Sequence, residues 1–266
     1  MSGDEHMIEA YNNGKDLYAI ISSMIFDVPY ETCTKEQENE EYRNYSKSLL
    51  LGVLYGMGIP TVAEMMGKTT KEAQQILDAF FDKFPTVKDT IEQTRIFCKK
   101  NNYVKTIYGR KRRLPDINLP EYEVKCDDPK KRKEYRQNLE KARYWKQKQR
   151  IKQQAKQDGV KIKDNTGFIA EAERQTINSV IQGSASDMTK KAIVLINNDD
   201  YLNELGYELL LPVHDEVIGQ IENNTEKIEK AKKRVAELML KAGDPVTVTM
   251  SVDNIVSERW YGEEIK

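Results

Sequence analysis

The chain has 266 residues, 32% of them charged and 39% apolar, with a net charge of −1. An apolar share below the ~45–50% of average globular chains gives a well-solvated surface and a limited core, enough for one large domain or two modest ones. The balanced total charge does not point to a nucleic-acid partner, and no apolar run reaches the ~18 residues that a membrane span needs. Cys33, Cys98 and Cys126 are scattered and odd in number. They lack zinc-ligand spacing and an even count for disulfides, and the N-terminal residues show no signal-peptide pattern, so a reducing cytosol is expected.

In chain order, Met7, Ile8 and Tyr11 recur at helical spacing before Asn12-Asn13-Gly14 breaks the pattern, and Asp16 is placed to cap a second helix reaching Phe26. After a loop comes the stretch with the most chemical content, Arg43-Asn-Tyr-Ser-Lys47-Ser-Leu-Leu-Leu51-Gly-Val-Leu-Tyr55-Gly56. As a helix over 42–57 it aligns Arg43, Lys47, Leu51 and Tyr55 in one slanting stripe. Two cations followed by an apolar residue and a ring suit a ligand with an anionic chain and a flat base. The same pattern also describes an ordinary half-buried helix anchored by Leu49, Leu50, Val53 and Leu54. Gly56, Gly58 and Pro60 end it.

Helices are predicted over 61–67, 70–84 and 87–100. Residues 103–108 alternate like a strand, Gly109-Arg-Lys-Arg-Arg113 reads as a turn, and 114–120 extends away, which together suggest a hairpin. Residues 121–165 differ in kind. Between Lys130 and Lys156 there are twelve Lys/Arg against two Glu, about +10 in one window. Two readings stand: a solvated helix or disordered insertion, and an electrostatic arm that tracks a nucleic-acid backbone.

A long helix follows over 171–197. Arg174, Asn178 and Gln182 fall at four-residue steps along it, a polar row without partner acids. Such side chains can donate to the acceptors that every base pair offers in the minor groove, with little sequence information. Apolar runs 207–213 and 217–221 flank His214-Asp215-Glu216, which reads as a hairpin with carboxylates at its tip. Adjacent carboxylates suit a hard divalent cation, although an ordinary polar turn has the same composition. An amphipathic helix over 224–241 and a Val/Thr-rich strand over 246–252 complete the pattern.

Taken together and in this order, the 43–56 stretch, residues 103–117, the Arg174/Asn178/Gln182 row and the His214-Asp215-Glu216 tip closely resemble the polymerase module of family A DNA polymerases, the bacterial polymerase I type. The resemblance covers nearly the whole chain except 121–165. It implies an α+β fold: a helical fingers subdomain over 1–120, a basic helical insertion over 121–165, and part of an antiparallel-sheet palm over 166–266. It implies that Arg43 and Lys47 hold the triphosphate of an incoming dNTP, with Lys47 also catalytic, and that Leu51 and Tyr55 meet its sugar and base. Arg174, Asn178, Gln182 and His214 would contact primer-template DNA. Asp215 would bind catalytic Mg²⁺, with Glu216 in support.

The pattern departs from the family in places. Leu51 stands where the family usually has Phe or Tyr, and Tyr18 where it often has a phosphate-contacting His. The family's motif A, which supplies the first metal-binding Asp, precedes a segment like Ser2-Gly3-Asp4-Glu5 and has no counterpart here. Two-metal phosphoryl transfer needs carboxylates on both sides of the metal pair. The expectation is therefore half of a metal site, completed by a second polypeptide carrying motif A and the thumb, in a bacterial cell or a phage-infected host. The alternative is a fragment that binds DNA and nucleotide without catalysis.

Overall fold

The computed structural model describes residues 2–54, 56–260 and 262, and within these the backbone alone of Leu54. The fold is α+β, helices with small antiparallel two-stranded sheets. Its first layer comprises α1 (Glu5–Asn12), α2 (Leu17–Phe26), α3 (Glu40–Leu54), α4 (Ile59–Met65), α5 (Thr70–Lys83) and α6 (Pro85–Asn101). Ile21, Leu49, Leu50, Val62, Phe80 and Phe84 from these helices form one buried cluster. Leu49 and Leu50 anchor α3, as their spacing predicts. The caps also tie the layer together. Asp4 accepts from the Met7 N–H to start α1, and its other oxygen accepts from the Thr86 hydroxyl at 2.7 Å, which binds α1 to α6. Ser22 donates to Ser46 at 2.8 Å, a fully buried bond between α2 and α3.

The hairpin after α6 differs from its prediction. The strands are β1 (Tyr103–Lys105) and β2 (Lys111–Arg113), in register Tyr103↔Arg113. The turn spans 106–110 because Thr106 N–H donates to Arg110 carbonyl, Gly109 at φ +84° donates back to Thr106, and the buried Thr106 hydroxyl takes the Arg110 N–H. The basic residues 111–113 therefore lie on the returning strand and not in the turn. Pro115–Asn118, expected to be extended, forms a 3₁₀ turn that buries Ile117.

The basic segment is not disordered, nor is it only helical. β3 (Tyr122–Lys125) pairs with β4 (Lys161–Asp164), and between them lie α7 (Pro129–Lys141) and α8 (Trp145–Gln157). Val124, Tyr135, Leu139, Ala155 and Val160 give it a core of its own. Five apolar residues spread over some forty positions carry too little periodicity to reveal this core in the sequence. Burial and the Asp158 carboxylate push the Tyr135 hydroxyl up to about 12, so it stays a neutral donor to Asp158. The insertion leaves and returns at one point. There the fully buried Asn165 amide donates to Pro120 carbonyl and to Glu123, both at 2.9 Å, and its N–H donates to Glu121 carbonyl.

α9 (Thr166–Asn197) is the longest element, 32 residues, or about 48 Å at ~1.5 Å per residue. Near its start Ala172 joins Cys98, Val104, Leu114 and Ile117. Near its end Ile196 packs with Leu202 of α10 (Asp200–Leu205) and with Ala231, Val235 and Leu238 of α11 (Thr225–Ala242). β5 (Glu208–Val213) and β6 (Glu216–Gln220) form the expected hairpin and pack on α9. The strand predicted over 246–252 does not form. Its Thr249 N–H donates to the Asn12 side chain at 2.8 Å, and among the described residues no strand lies alongside it. No helix among the described residues is long and apolar enough to cross a membrane.

Because the insertion has its own core, damage to that core should stay local. Leu139 is 2% exposed, and Leu139→Ala should cost roughly 2–5 kcal/mol. Amide exchange should show protection lost across 121–165 and retained in α2, α3 and α9.

Candidate nucleotide and nucleic-acid site

The α3 stripe begins with a cation that is already engaged. Arg43 Nε donates to Asp16 Oδ2 at 2.6 Å, and its guanidinium lies 5.3 Å from the centre of the Tyr18 ring. Arg43 is 11% exposed and Asp16 24%, so the pair is largely shielded from water. Asp16 does two jobs: Oδ1 caps α2 through the Tyr18 and Ala19 N–H groups, and Oδ2 holds Arg43. The structure thus joins Arg43 and Tyr18, and adds Asp16 to them. The cap is legible in sequence, but the partner 27 residues away is not. One turn along, Lys47 is exposed and forms no ion pair among the described residues. Leu51 is half-buried. Tyr55 lies outside the described residues.

The stripe ends against α9. Gly56, at φ +63°, lies so close to Arg174 that a Cβ there would meet the Arg174 Cα at 2.9 Å and its Cβ at 2.8 Å. Backbone cannot swing aside as a side-chain tip can, so this position requires glycine for space as well as for φ. Gly52, one turn earlier, is similarly constrained by Val62 at 2.5 Å. Sequence reading treats Gly56 only as a helix stop.

Arg174 is not without a partner acid. Its guanidinium grips Glu171 through Nε, at 3.1 Å, and through Nη2. The Gln175 amide and the Arg174 guanidinium hold the Glu171 carboxyl below its usual range. Steps of four along the row skip this acid, which sits three residues back. Asn178 and Gln182 line an open groove of about 330 Å³ together with Gln175, Thr106, Arg110 and Arg112. The Asn178 amide oxygen is buried without a hydrogen-bond partner, which costs about 1–3 kcal/mol unless something donates to it.

Arg110 is pinned in this groove: its Nε donates to Asp187 at 2.6 Å and its Nη2 to Gly183 carbonyl at 3.3 Å. Arg112, on β2, is exposed and unpaired among the described residues. The groove therefore presents amide donors on one wall and a free guanidinium on the other. Arg110 and Arg112 carry no local motif because the β1–β2 hairpin brings them to α9, and Gln175 falls outside the four-residue steps of the polar row.

His214, Asp215 and Glu216 are all exposed at the β5–β6 tip, with His214 at φ +55°. Among the described residues no three or more His, Cys, Asp or Glu side chains stand together as a metal-binding group. The tip fits a divalent cation in chemistry, since Mg²⁺ takes one or two carboxylates with water and phosphate oxygens. It supplies fewer carboxylates than a pair of such ions requires.

A cation-bearing helix, a row of amide side chains over a basic groove and a carboxylate hairpin all meet one long helix in an α+β domain. The family model described as DNA polymerase family A matches residues 1–262, and the chain belongs to that family. It is 28% identical to DNA polymerase I of Chloroflexus aurantiacus over 98% of this chain and 22% of that protein. With the thermostable DNA polymerase I of Thermus aquaticus it shares 27% identity over 98% of this chain and 25% of that one. The chain thus spans a quarter or less of the length of these relatives. Among solved structures it is similar to the POL domain of Pol1 from M. smegmatis in complex with DNA primer-template and dNTP, with TM-score 0.64, 25% identity, and coverage of 91% of this chain and 34% of that one.

Asp16 allows its two jobs to be separated. Asp16→Asn keeps the cap but leaves Arg43 without its counter-charge, and should lower stability by about 2 kcal/mol in urea unfolding, less than the ~3–5 kcal/mol of a fully buried broken pair because both side chains keep some exposure. Asp16→Ala should cost about 1 kcal/mol more, for the lost cap.

Proposed function

We propose that the chain forms the nucleotide-gripping fingers and one carboxylate-bearing corner of a template-directed DNA polymerase. Residues 1–120 are the fingers, and 166–266 are the palm half with the acidic hairpin. The observation that carries this reading is the Gly56–Arg174 contact, which sets the end of the cationic α3 stripe against the start of the amide row on α9. A nucleotide on α3 would then be delivered beside a duplex held on α9.

In the reaction a primer 3′-hydroxyl attacks the α-phosphorus of a dNTP. A new P–O bond forms, the hydroxyl proton leaves, the α–β bridging P–O bond breaks, and pyrophosphate departs. Lys47, exposed and unpaired, meets the triphosphate first, and Arg43 joins when a phosphate oxygen replaces Asp16. Such fixed cations stabilise charge that grows on the phosphate oxygens, where one well-placed donor contributes about 3–4 kcal/mol. Tyr18 keeps the Arg43 guanidinium plane oriented. Leu51 and Tyr55 pack on sugar and base. Asn178, Gln182 and the freed fork of Arg174 donate to minor-groove acceptors, and His214 contacts the primer end.

Asp215, with Glu216, would hold Mg²⁺, which when bound lowers the barrier by neutralising phosphoryl charge. The carboxylates that complete this set come from beyond these residues, in the same polypeptide or a second one. The site of action is the cytoplasm of a bacterial cell or a phage-infected host. A second reading, binding of DNA and nucleotide without catalysis, draws on the two-carboxylate tip.

Primer extension and fluorescence anisotropy on one primer-template test both. The chain alone should bind DNA but not extend it, and Arg112→Ala with Gln182→Ala should weaken binding by about tenfold, from ~0.7 kcal/mol each. Extension should appear when a polypeptide bearing the missing carboxylates is added, and Asp215→Asn should then abolish it while binding persists. Robust synthesis by the chain alone would sink the need for completion. Failure of the mixture to extend would favour the binding-only reading, and unchanged DNA affinity in the double variant would remove the groove from the account.

A further inference from the structure

The insertion carries an exposed feature for which neither its own core nor the α3–α9 site accounts. At the junction of α7 and α8, Tyr144 is 69% exposed and Trp145 71%. Single exposed apolar residues are ordinary on protein surfaces. Here two adjacent rings stand together, neither contacts another ring or a cation among the described residues, and cations flank them in sequence at Lys141, Arg143, Lys146 and Arg150. Of the twelve Lys/Arg between 130 and 156, only Lys148 and Lys152 are ion-paired, with Glu121 and Asp164. The remainder are exposed and form no ion pair among the described residues, although Lys131 lies close enough to Asp158 to help hold its carboxyl below the usual range.

Those two ion pairs also fix where the rings sit. β3 starts at Tyr122 beside Asp164, at the root where the insertion joins the body, and runs outward to Lys125 beside Lys161. α8 lies along this ribbon. Lys148 reaches Glu121 at 3.1 Å, and both Lys148 and Lys152 lie over the Tyr122 ring. Trp145 precedes Lys148 by about 4.5 Å of helix rise, so Tyr144 and Trp145 lie near the root and not at a remote tip. α9 begins at the same root, at Thr166. The junction backbone is fixed as well: Gln147 Oε1 accepts from both Arg143 and Tyr144 N–H groups, at 3.1 and 3.2 Å.

We infer that the Tyr144–Trp145 junction is a binding site for single-stranded nucleic acid, with bases stacked on the two rings and phosphates on Arg143, Lys146 and Arg150. A single strand is favoured over a duplex because unpaired bases expose π faces, and aromatic side chains amid cations bind them with little regard to sequence. A duplex would use the cations and leave the rings idle. The site needs no metal and no polymerase chemistry.

The test uses the whole chain with oligo(dT) and, separately, a blunt duplex. In a Trp260→Phe background Trp145 is the only indole, and oligo(dT) should quench its fluorescence. Tyr144→Ala with Trp145→Ala should weaken oligo(dT) binding roughly 5- to 100-fold for each base unstacked and change duplex affinity less than about twofold. Neutralising Arg143, Lys146 and Arg150 to Gln should flatten the log–log salt dependence for oligo(dT) by about 2, at ~0.7 per phosphate contact. Unquenched Trp145, oligo(dT) affinity unmoved by the double variant, or an equal loss on the duplex would each overturn the inference. Because both rings are largely exposed, folding is not at stake, and far-UV circular dichroism checks it.

Discussion

The site hangs on one close approach between backbones. Where α3 ends, Gly56 takes a left-handed conformation and lies within 2.9 Å, measured from a virtual Cβ, of the Arg174 Cα. α9 cannot yield at that point. It is held near one end by the cluster around Ala172 and near the other by that around Ile196. α3 in turn is locked by the fully buried Leu49 and by the Ser22–Ser46 bond. The spacing between the cationic stripe and the amide row is thus set by main chain packed on main chain. That is a stiffer ruler than any side-chain contact, since interiors at crystal-like density transmit displacement instead of absorbing it.

Against that rigid frame the charges are graded. Arg43 is committed to Asp16 and lies against Tyr18, while Lys47 is exposed and forms no ion pair among the described residues. A shielded guanidinium left alone would be costly, so a carboxylate partner in the free protein is a physical necessity. Asp16 meets it without losing its cap, because the two oxygens serve different donors. Arg174 repeats the arrangement with Glu171. Arg43 and Arg174 thus each hold an internal anion, which any incoming acceptor must displace, whereas Arg112 carries no ion pair among the described residues.

What could be read from the sequence follows the range of the forces involved. Periodic burial fixes α3, α5, α9 and α11 to within about five residues, and Asp16 caps where its chemistry says it should. Side chains placed by helical spacing, such as Asn178 and Gln182, do line one groove. Most of the misses are non-local. Arg112 reaches the groove only through pairing with Val104, Asp16 meets Arg43 across two helices, and 246–252 has strand composition but no neighbour to pair with among the described residues. The insertion shows the same limit: its sparse apolar residues converge only once β3 and β4 close the loop.

The distribution of charge completes the physical picture. A total of −1 suggests indifference to polyanions, yet the insertion window holds about +10 and the remainder offsets it. Because screening in physiological salt acts over about 8 Å, a ligand at the insertion root experiences the local cations and little of the distant acids. Segregation therefore serves what uniform basicity would not. The chain as a whole is nearly neutral, while one folded appendage, anchored at Asn165 at the start of α9, keeps a concentrated positive field. The core of that appendage is what keeps this charge together. Like charges at this density repel, and only the burial of Tyr135, Leu139 and Ala155 against Val124 and Val160 holds them on one compact surface.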